Sequence, residues 1–448
     1  MRIFYSTLLY LLAPLVIAKL LFNSLRNPAY RKRIGERLGR IRFTGNEQPL
    51  VWLHAVSVGE VQAARPLIDR LLQQQPGQRL VITTITPTGA ALVQQLFADA
   101  VEHFYLPYDM PHAIRRFISA LNPRLLIIME TEIWPNLLYY CQRQGTKTVL
   151  VNARLSDRSY FAYRRVAGFI GDTLQRFDLL CAQTQSDADR LLALGADPAV
   201  VYVSGNIKFD VAISDDTLAR GQALRRSLAP DRPVFIAAST HQGEEAIIFS
   251  ACKAILQQVP DCLLILVPRH PHRVGAIREL AASLDLSVVS GSAAHSRGTD
   301  SQVFLVDSLG ELAVFYACSD IAFVGGSLVA VGGHNVLEPA AAGLPVISGR
   351  HTANFDEIVQ GMRRDEAIVL VNDAAQLAAR VLDWLGDADK RHDYGERGRR
   401  FVLKNQGSVN RVLERLQKFG ISQGQGLVNL AVSVTIVAVN LLEKCYVT

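Results

Sequence analysis

Residues 50–60 read LVWLHAVSVGE and contain a short strand pattern that runs directly into a helix start. The first four residues are apolar, which is typical of a buried strand. Ser57 and Glu60 form the Ser-x-x-Glu pattern, in which the serine caps the first turn of a helix and the glutamate bonds back to the cap. A strand followed at once by a helix predicts a β-α-β unit and hence a parallel α/β sheet.

The same alternation of strand and helix patterns continues along the chain in two blocks. In the first block the strand-like runs are at 50–54, 80–84, 125–129, 148–151 and 200–203. In the second block they are at 234–238, 263–267, 303–306, 321–324, 344–347 and 368–371. The polar segment 214–232 between the blocks ends in APDRP, which is typical of a linker. The sequence therefore predicts two tandem Rossmann-like, doubly wound α/β domains that face a cleft.

The composition and the absence of two motifs exclude several classes of protein. With 49% apolar and 20% charged residues, the 448-residue chain can bury a large core and is neither disordered nor fibrous. No GxGxxG follows the first strand of either block, and no P-loop motif occurs, which disfavours dinucleotide oxidoreductases and P-loop NTPases. The six cysteines form no CxxC pair or zinc spacing, so we expect small buried thiols in a reducing compartment.

Residues 1–42 combine an apolar stretch with a basic flank. Residues 3–22 are almost continuously apolar apart from Lys19, and as a helix they would reach about 30 Å, enough to cross a bilayer core. Residues 1–42 hold nine Lys or Arg and one Glu, so they account for more than the whole net charge of +6. The positive-inside rule keeps this flank cytoplasmic, where it would attract anionic lipids. Since the rest of the chain is close to neutral, nucleic acid is not an expected partner.

Each end of the chain also allows other interpretations. A cleavable signal peptide could end at 16–18, but the arginines directly downstream oppose translocation. A core helix is disfavoured by Pro14 and by the lack of a polar face. Residues 419–442 carry no charge, and they could form a second membrane segment or a β-prone segment.

Three predicted strand-to-helix junctions carry a capping pattern that could also bind an anion. They are Ser57 to Glu60, Ser308 to Glu311 and Asn335 to Glu338. Each can be an ordinary helix cap. Each also puts the free amides of a helix start at the carboxyl end of a strand, which favours phosphate. The two roles are compatible.

Glycine-rich and basic segments of the second block predict a phosphate site. The segment 324–339, VGGSLVAVGGHNVLEP, allows close approach of a ligand to the backbone. PRHPHR at 268–273 directly follows an apolar strand, so its side chains are expected at the same edge, where a guanidinium can bind two phosphate oxygens. The His-x-His spacing has no third ligand at a suggestive distance, so no metal is predicted.

Carboxylates follow two predicted strands of the first block. Glu60 comes after the first strand, and Glu130 and Glu132 come directly after the run 125–129. A general base that deprotonates a sugar hydroxyl would lie at such a strand end. Lys208, in GNIKFD, adds a cation or is a solvated surface lysine.

Several ordered motifs resemble those of the Kdo (3-deoxy-D-manno-oct-2-ulosonic acid) transferases of lipopolysaccharide synthesis, glycosyltransferases of the GT-B fold. The motifs are HAVSVGE at 54–60, METEIWPN at 129–136, NARLSDRS at 152–159, GNIKFD at 205–210, PRHPHR at 268–273 and GGHNVLEPAAAGLPVISG at 332–349. The resemblance runs to about residue 418 and is lost in the apolar C-terminal segment. It implies inverting transfer of Kdo from CMP-Kdo to the lipid A precursor lipid IVA. The implied place is the cytoplasmic face of the inner membrane, with a single-pass N-terminal anchor, anionic lipids as neighbours and no cofactor.

The resemblance also implies roles for individual residues. Glu60 would be the general base, and Glu130 and Lys208 would assist the transition state. The positions that contact CMP would be Pro268, Arg269, Leu309, Gly310, Glu311, Asn335, Val336, Leu337 and Glu338. Two rivals remain: another GT-B nucleotide-sugar enzyme, such as a 2-epimerase, and a non-catalytic membrane-bound nucleotide-sugar binding protein.

These observations predict the domain boundaries. Residues 1–42 are the anchor and basic flank, 43–212 the acceptor domain, 213–232 the linker, 233–418 the CMP-sugar donor domain and 419–448 an apolar tail.

Overall fold

The computed structural model describes residues 1–43, 49–74, 79–211, 213–291, 301–308 and 310–420, which fold into two compact units. The first unit consists of Met1–Ile207 and of the chain from Gly407 onward, and the second unit is Lys208–Gln406. Each unit contains one seven-stranded sheet. All strand pairs are parallel, which confirms the predicted α/β class.

The sheet of the first unit is built from apolar runs buried on both faces. Its strands are β1 (Leu50–His54), β2 (Arg79–Thr84), β3 (Glu102–Tyr105), β4 (Leu125–Met129), β5 (Lys147–Ala153), β6 (Leu179–Ala182) and β7 (Val201–Val203). They lie in the order β3-β2-β1-β4-β5-β6-β7. Every side chain of β1 and β4 is buried, as expected when helices cover both faces of a parallel sheet.

Helices precede and connect these strands. They are α1 (Arg2–Arg26), α2 (Ile34–Arg37), α3 (Val58–Gln74), α4 (Pro87–Phe97), α5 (Pro111–Leu121), α6 (Pro135–Gln144), α7 (Asp157–Arg164), α8 (Ala167–Leu174) and α9 (Gln185–Ala193). Helices α4, α5 and α6 begin with proline, whose fixed φ suits the first helical turn.

The sheet of the second unit repeats the same design. Its strands are β8 (Val234–Thr240), β9 (Leu263–Pro268), β10 (Val288–Ser290), β11 (Val303–Leu305), β12 (Ile321–Val324), β13 (Val346–Ser348) and β14 (Ile368–Leu370). They lie in the order β10-β11-β9-β8-β12-β13-β14. The helices are α10 (Asp215–Leu228), α11 (Glu244–Leu256), α12 (Val274–Ser283), α13 (Leu312–Ala317), α14 (Leu337–Ala341), α15 (Asp356–Arg364), α16 (Ala374–Gly386) and α17 (Ala388–Asn405).

The division of the chain differs from the predicted boundaries at two places. The predicted linker 213–232 contains α10, which belongs to the second unit because Arg225 pairs with Asp320 there at 2.9 Å. The end of the predicted donor domain forms α18 (Ser408–Leu416), which returns to the first unit. The buried side chains of α18 are spaced three or four residues apart and join the core behind β1 and β4.

Each sheet has one strand at which the chain reverses its direction of winding. In the first unit β1 lies between β2 and β4, and in the second unit β8 lies between β9 and β12. Ligands of open α/β sheets bind at the carboxyl ends of the strands at such a switch point. The loops after β1, β4, β8, β9 and β12 are therefore the places to look for a site.

The structure also bears on the predictions for the cysteines and the C-terminal tail. Cys141, Cys181, Cys252, Cys262 and Cys318 are free and buried, as predicted. Cys445 and the tail from residue 421 onward lie outside the described residues.

Candidate active site

Three glutamates gather at the switch point of the first unit. Glu60 is in the first turn of α3, directly after β1, and Glu130 and Glu132 follow β4. Burial raises the pKa of Glu60 to about 8, and the charges of Glu132 and Glu130 add to this rise. Burial and the charge of Glu130 also raise the pKa of Glu132. The cluster is thus a group of interacting carboxylates in which Glu60 is more basic than an ordinary glutamate.

Glu60 bonds to the chain just before α3, but not in the predicted Ser-x-x-Glu cap, because its partner is Val56 and the Ser57 side chain donates to it. Ser57 lies directly before α3, and its carbonyl accepts from the Val61 N–H at 2.9 Å. The Glu60 carboxylate accepts from the Val56 N–H at 2.7 Å, and its other oxygen is 3.5 Å from the Ser57 hydroxyl. These bonds lower the pKa of Glu60, but burial outweighs them. The Glu60 carboxylate therefore accepts a hydrogen bond before α3 and is still more basic than usual.

The backbone at Glu130 is in an unfavourable conformation. Its φ is +57°, in the left-handed region, which costs a non-glycine residue about 1–2 kcal/mol. The Glu130 N–H donates to the Val151 carbonyl at 2.9 Å, which holds the turn against β5. Glu132 accepts from the Trp134 indole N–H at 2.8 Å. Strain of this kind collects at functional sites, which marks the end of β4 as a candidate.

Lys208 is the first residue of the second unit. It is in the 3-10 helix Ile207–Phe209, is half-buried, and its ammonium is 6.0 Å from the centre of the Phe355 ring. The turn before it is fixed by Asn152, whose side-chain oxygen accepts from the Ile207 N–H at 3.0 Å. Lys208 is therefore held in place by its surroundings and is not a freely solvated surface lysine.

A buried glutamate organises the glycine-rich loop of the second unit. Glu244, at the start of α11, is fully buried and accepts four backbone hydrogen bonds. The donors are the N–H groups of His241, Gly326, Ser327 and Leu328, at 2.7–2.9 Å. One carboxylate thus ties the loop after β8 to the loop after β12.

Arg269 lies among histidines at the end of β9. Its backbone N–H donates to the Thr240 carbonyl at 3.0 Å. The Nε2 atoms of His241 and His334 are 2.8 Å apart in stacked rings. Burial, with His241 and Arg269 nearby, lowers the pKa of His334 to about 4, and burial also lowers those of His241 and His270. The guanidinium of Arg269 forms no ion pair within the described ranges, so it supplies positive charge beside neutral rings.

The second arginine of PRHPHR has a different role. Arg273 forms a two-pronged ion pair with the buried Glu245, with N–O distances of 2.5 and 3.2 Å. Glu245 also accepts from the Thr240 hydroxyl at 3.1 Å. Arg273 therefore fixes this segment on α11, and its charge is already satisfied.

The other two predicted capping patterns also differ from expectation. The helix after Ser308 begins only at Leu312, so the predicted cap is wrong: the Ser308 hydroxyl donates to Glu311 at 3.2 Å instead. Asn335 is not the cap of α14 either, because the helix begins at Leu337 after Val336. The Asn335 side-chain oxygen accepts from the Leu337 N–H at 3.0 Å, and its amide donates to Glu338. The helix that follows has only five residues. Neither Ser308 nor Asn335 therefore lies at the N-terminus of a long helix that could bind an anion.

The remaining residues predicted to bind CMP differ in how exposed they are to a ligand. Pro268 ends β9 and is buried, and Gly310 is exposed with φ +91°. Glu311 pairs with Arg220 at 2.8 Å. Val336 and Leu337 are buried in the core, so only their backbone can meet a ligand. Leu309 lies outside the described residues.

Part of this site is not among the residues predicted from the sequence. His241, Glu244 and Glu245 follow β8 in THQGEE at 240–245, where a strand end, a glycine and two acids in a row are a usable signal. Within the described ranges, no group of three or more His, Cys, Asp or Glu side chains is placed to hold a metal ion.

Comparison with known proteins identifies the family. Residues 32–211 match the family model for 3-deoxy-D-manno-octulosonic-acid transferase (kdotransferase), and residues 290–401 match the model for glycosyl transferases group 1. A 3-deoxy-D-manno-octulosonic acid transferase of Haemophilus influenzae is 39% identical over 93% of this chain and 98% of its own length. The chain belongs to the Kdo transferase family. A Kdo transferase of Bordetella pertussis is 37% identical over 82% of this chain and 86% of its own.

Solved structures show which fold this member of the Kdo transferase family adopts. A UDP-GlcNAc 2-epimerase from Neisseria meningitidis has a TM-score of 0.55 at 15% identity, covering 82% of this chain and 100% of its own. A glycosyltransferase from Rickettsia africae has a TM-score of 0.52 at 14% identity, covering 84% and 99%. At these identities the likeness is one of fold alone. The family member therefore has the predicted GT-B fold.

Proposed function

We propose that this chain transfers Kdo from CMP-Kdo to the lipid A precursor lipid IVA, and that it adds more than one Kdo in succession. Its membership of the Kdo transferase family supports the reaction type. The observation that carries the proposal is the carboxylate cluster after β1 and β4, in which the pKa of Glu60 is raised to about 8. A base of this strength suits removal of a proton from a sugar hydroxyl at near-neutral pH.

Glu60 acts as the general base of an inverting displacement. The oxygen of an acceptor hydroxyl attacks the anomeric C2 of Kdo while its proton passes to the Glu60 carboxylate. The bond between C2 and the phosphate oxygen breaks on the opposite face, and CMP leaves with the electron pair. Attack and departure on opposite faces invert the configuration through an oxocarbenium-like state.

Glu130 and Lys208 stabilise charges that develop in this transition state. A carboxylate favours the positive charge on the sugar ring, and an ammonium favours the negative charge on the departing phosphate. The strained backbone at Glu130 and the fixed turn before Lys208 support these roles, because preorganised charges need no rearrangement as the reaction proceeds.

The donor site consists of residues of the second unit. The Arg269 guanidinium binds the single phosphate of CMP in a fork, in surroundings that Glu244 and Glu245 hold rigid. The other contacts come from Pro268, from 309–311 and from 335–338, with Val336 and Leu337 contributing backbone groups. A single phosphate makes a weaker demand for metal than a diphosphate, and we propose a reaction without metal or cofactor.

The first unit binds the acceptor, and α1 with its basic flank attaches the enzyme to the cytoplasmic side of the inner membrane. A phosphorylated glycolipid acceptor is anionic and lies in the bilayer, and anionic lipids attract the same cations. Nucleic acid is not a partner in this proposal, because the positive charge is confined to the anchor segment.

The replacement Glu60→Gln tests the proposal. We expect CMP binding to persist and transfer to fall about 10²- to 10⁴-fold, while Glu414→Gln on the exposed face of α18 retains activity. Near-normal turnover by Glu60→Gln would eliminate this residue as the base. CMP release that needs no lipid acceptor would favour a 2-epimerase-like enzyme, and binding without any release would favour a binding protein.

A further inference from the structure

Helix α1 exposes an unusual amount of apolar surface. Among the described residues it is the one helix long and apolar enough to cross a membrane, and only 6% of its most apolar window is buried. Ile3 is 76% exposed, and Leu11 and Leu25 are each 72% exposed. Contiguous exposed apolar surface of this kind marks an interaction site.

The start of α1 is nevertheless built into the first unit by polar contacts. The Tyr5 hydroxyl donates to Asp109 at 3.0 Å, and Asp109 is buried and also accepts from the N–H groups of Asn136 and Leu137 at the start of α6. The buried Ser6 hydroxyl donates to the Asn136 side chain at 3.1 Å. Because buried polar groups are expensive to leave unpaired, these bonds fix the first turns of α1 on α6.

Aromatic contacts continue this attachment along the helix. The Arg2 guanidinium lies 3.6 Å from the centre of the Tyr139 ring on α6. The Tyr10 hydroxyl is 2.6 Å from Nδ1 of His112 on α5, and the two rings stack. The first three turns of α1 therefore run along the first unit from α6 to α5.

The chain that leaves α1 packs on the same unit. After the 3-10 helix Pro28–Arg31, Glu36 accepts from the Tyr105 N–H at 2.8 Å. Arg37 is buried and donates to the Ile85 carbonyl at 2.8 Å. Part of the predicted basic flank is thus structural, whereas Lys32, Arg40 and Arg42 remain exposed.

The start of α1 and the chain ten residues after its end are therefore held by one folded unit. A helix of 25 residues that crossed a bilayer would put its ends on opposite sides of about 30 Å of hydrocarbon. The sheet edge and loops that hold Tyr5 and Glu36 cannot lie on both sides. We propose that α1 lies in the plane of the membrane interface, with its exposed apolar side chains in the lipid, instead of forming the predicted single-pass anchor. The neighbouring exposed cations match anionic lipid headgroups.

This arrangement links the lipid surface to the carboxylate cluster. Helix α6, to which the start of α1 is bonded, follows Glu130 and Glu132 after only a few residues. If the proposed function holds, an acceptor headgroup at the interface would reach this cluster without leaving the bilayer. The orientation of α1 itself does not depend on that function.

The side of the membrane on which the N-terminus lies tests the proposal. An epitope tag is placed before Met1 in the full chain, and protease is added to spheroplasts or to inverted inner-membrane vesicles, with a cytoplasmic protein as the control for lysis. An in-plane helix leaves the tag protected in spheroplasts and cleaved in inverted vesicles. Cleavage in spheroplasts and protection in inverted vesicles would show a spanning helix and overturn the proposal.

A second measurement tests whether lipid covers the exposed apolar side chains of α1. The full-length double variant Leu11→Glu, Leu15→Glu should bind vesicles of phosphatidylethanolamine and phosphatidylglycerol at least about tenfold more weakly than the unchanged chain. Leu403→Glu, at an exposed leucine of α17, is the matched control and should bind normally. Unchanged vesicle binding with a smaller oligomer would mean that a second copy of the chain covers α1, and it would overturn the proposal.

Discussion

The Glu60 carboxylate accepts a hydrogen bond of 2.7 Å from the backbone N–H of Val56, yet its pKa is raised to about 8. A hydrogen bond to a carboxylate favours the charged form, whereas burial and like charges favour the neutral form. Here burial is the largest influence, followed by this hydrogen bond, with the charges of Glu132 and Glu130 adding to the rise. The same side chain can therefore accept this bond before α3 and still be more basic than an ordinary carboxylate.

The first prediction concerns the pH dependence of transfer. Glu60 must be ionised to act as a base, so activity should be lost as the pH falls through about 8. We expect kcat/KM to rise about tenfold per pH unit below this value and to level off above it. Initial rates between about pH 6 and about pH 9 measure this profile. A flat profile over that range would contradict the assignment of Glu60.

The second prediction uses a neighbour of the base. Glu132→Gln removes one of the negative charges that raise the pKa of Glu60, and the amide oxygen can still accept from Trp134. The pH profile should therefore shift to lower pH, with more activity retained at neutral pH relative to the plateau. Glu414→Gln is the control and should leave the profile in place. A shift to higher pH would mean that Glu132 does not act on Glu60 through its charge.

The third prediction concerns donor binding by Arg269. A charge-assisted hydrogen bond contributes about 1.5–3 kcal/mol, so Arg269→Ala should weaken CMP binding about 10- to 100-fold. Arg269→Lys keeps the positive charge but loses the two-pronged contact, so its affinity for CMP should lie between those of the unchanged chain and of Arg269→Ala. Isothermal titration calorimetry with CMP measures the dissociation constants of the unchanged chain, of Arg269→Ala and of Arg269→Lys. Arg400→Ala, on the exposed face of α17, should bind normally. Equal affinities for all variants would remove Arg269 from the phosphate site.

The fourth prediction concerns the buried carboxylate of Glu244. Glu244→Ala leaves four backbone N–H groups without their acceptor. We expect a loss of about 3 kcal/mol or more in the stability of the second unit, which is about 10 °C in its melting temperature, and weaker CMP binding. Thermal unfolding of the full chain is the measurement, and the surface change Glu279→Ala on α12 is the control. An unchanged melting temperature would show that other acceptors replace Glu244.

Sequence patterns predict the long central strands and several three-residue strands, such as β7 and β11, but they miss β3, β6 and β10. The run 125–129 predicts β4 to the residue, because a strand buried on both faces is continuously apolar. β3 begins with Glu102 and His103 and so has no continuous apolar run, while β6 and β10 have only four and three residues. The return of α18 to the first unit depends on contacts between residues about 200 positions apart, such as Arg411 and Ser204.

In the candidate site, too, some features can be predicted from the sequence and others cannot. Glu130 and Arg269 are visible in the sequence because they come at the end of an apolar run, and Glu60 is visible in the Ser-x-x-Glu pattern after β1. The raised pKa of Glu60 is not visible, since it arises from burial and from glutamates some 70 residues away. Glu244 resembles an ordinary acidic residue in a first helical turn, and only the folded loop after β12 reveals its four donors.

In the proposed function, the chain joins Kdo to a lipid acceptor. Mass spectrometry of the product formed from CMP-Kdo and a tetraacylated disaccharide acceptor measures this most directly. We expect the acceptor mass to increase by one Kdo unit and then by further units, in an amount that matches the CMP released. With Glu60→Gln we expect the same increase to be about 10²- to 10⁴-fold slower. Release of CMP by the unchanged chain with no gain in acceptor mass would contradict the claim.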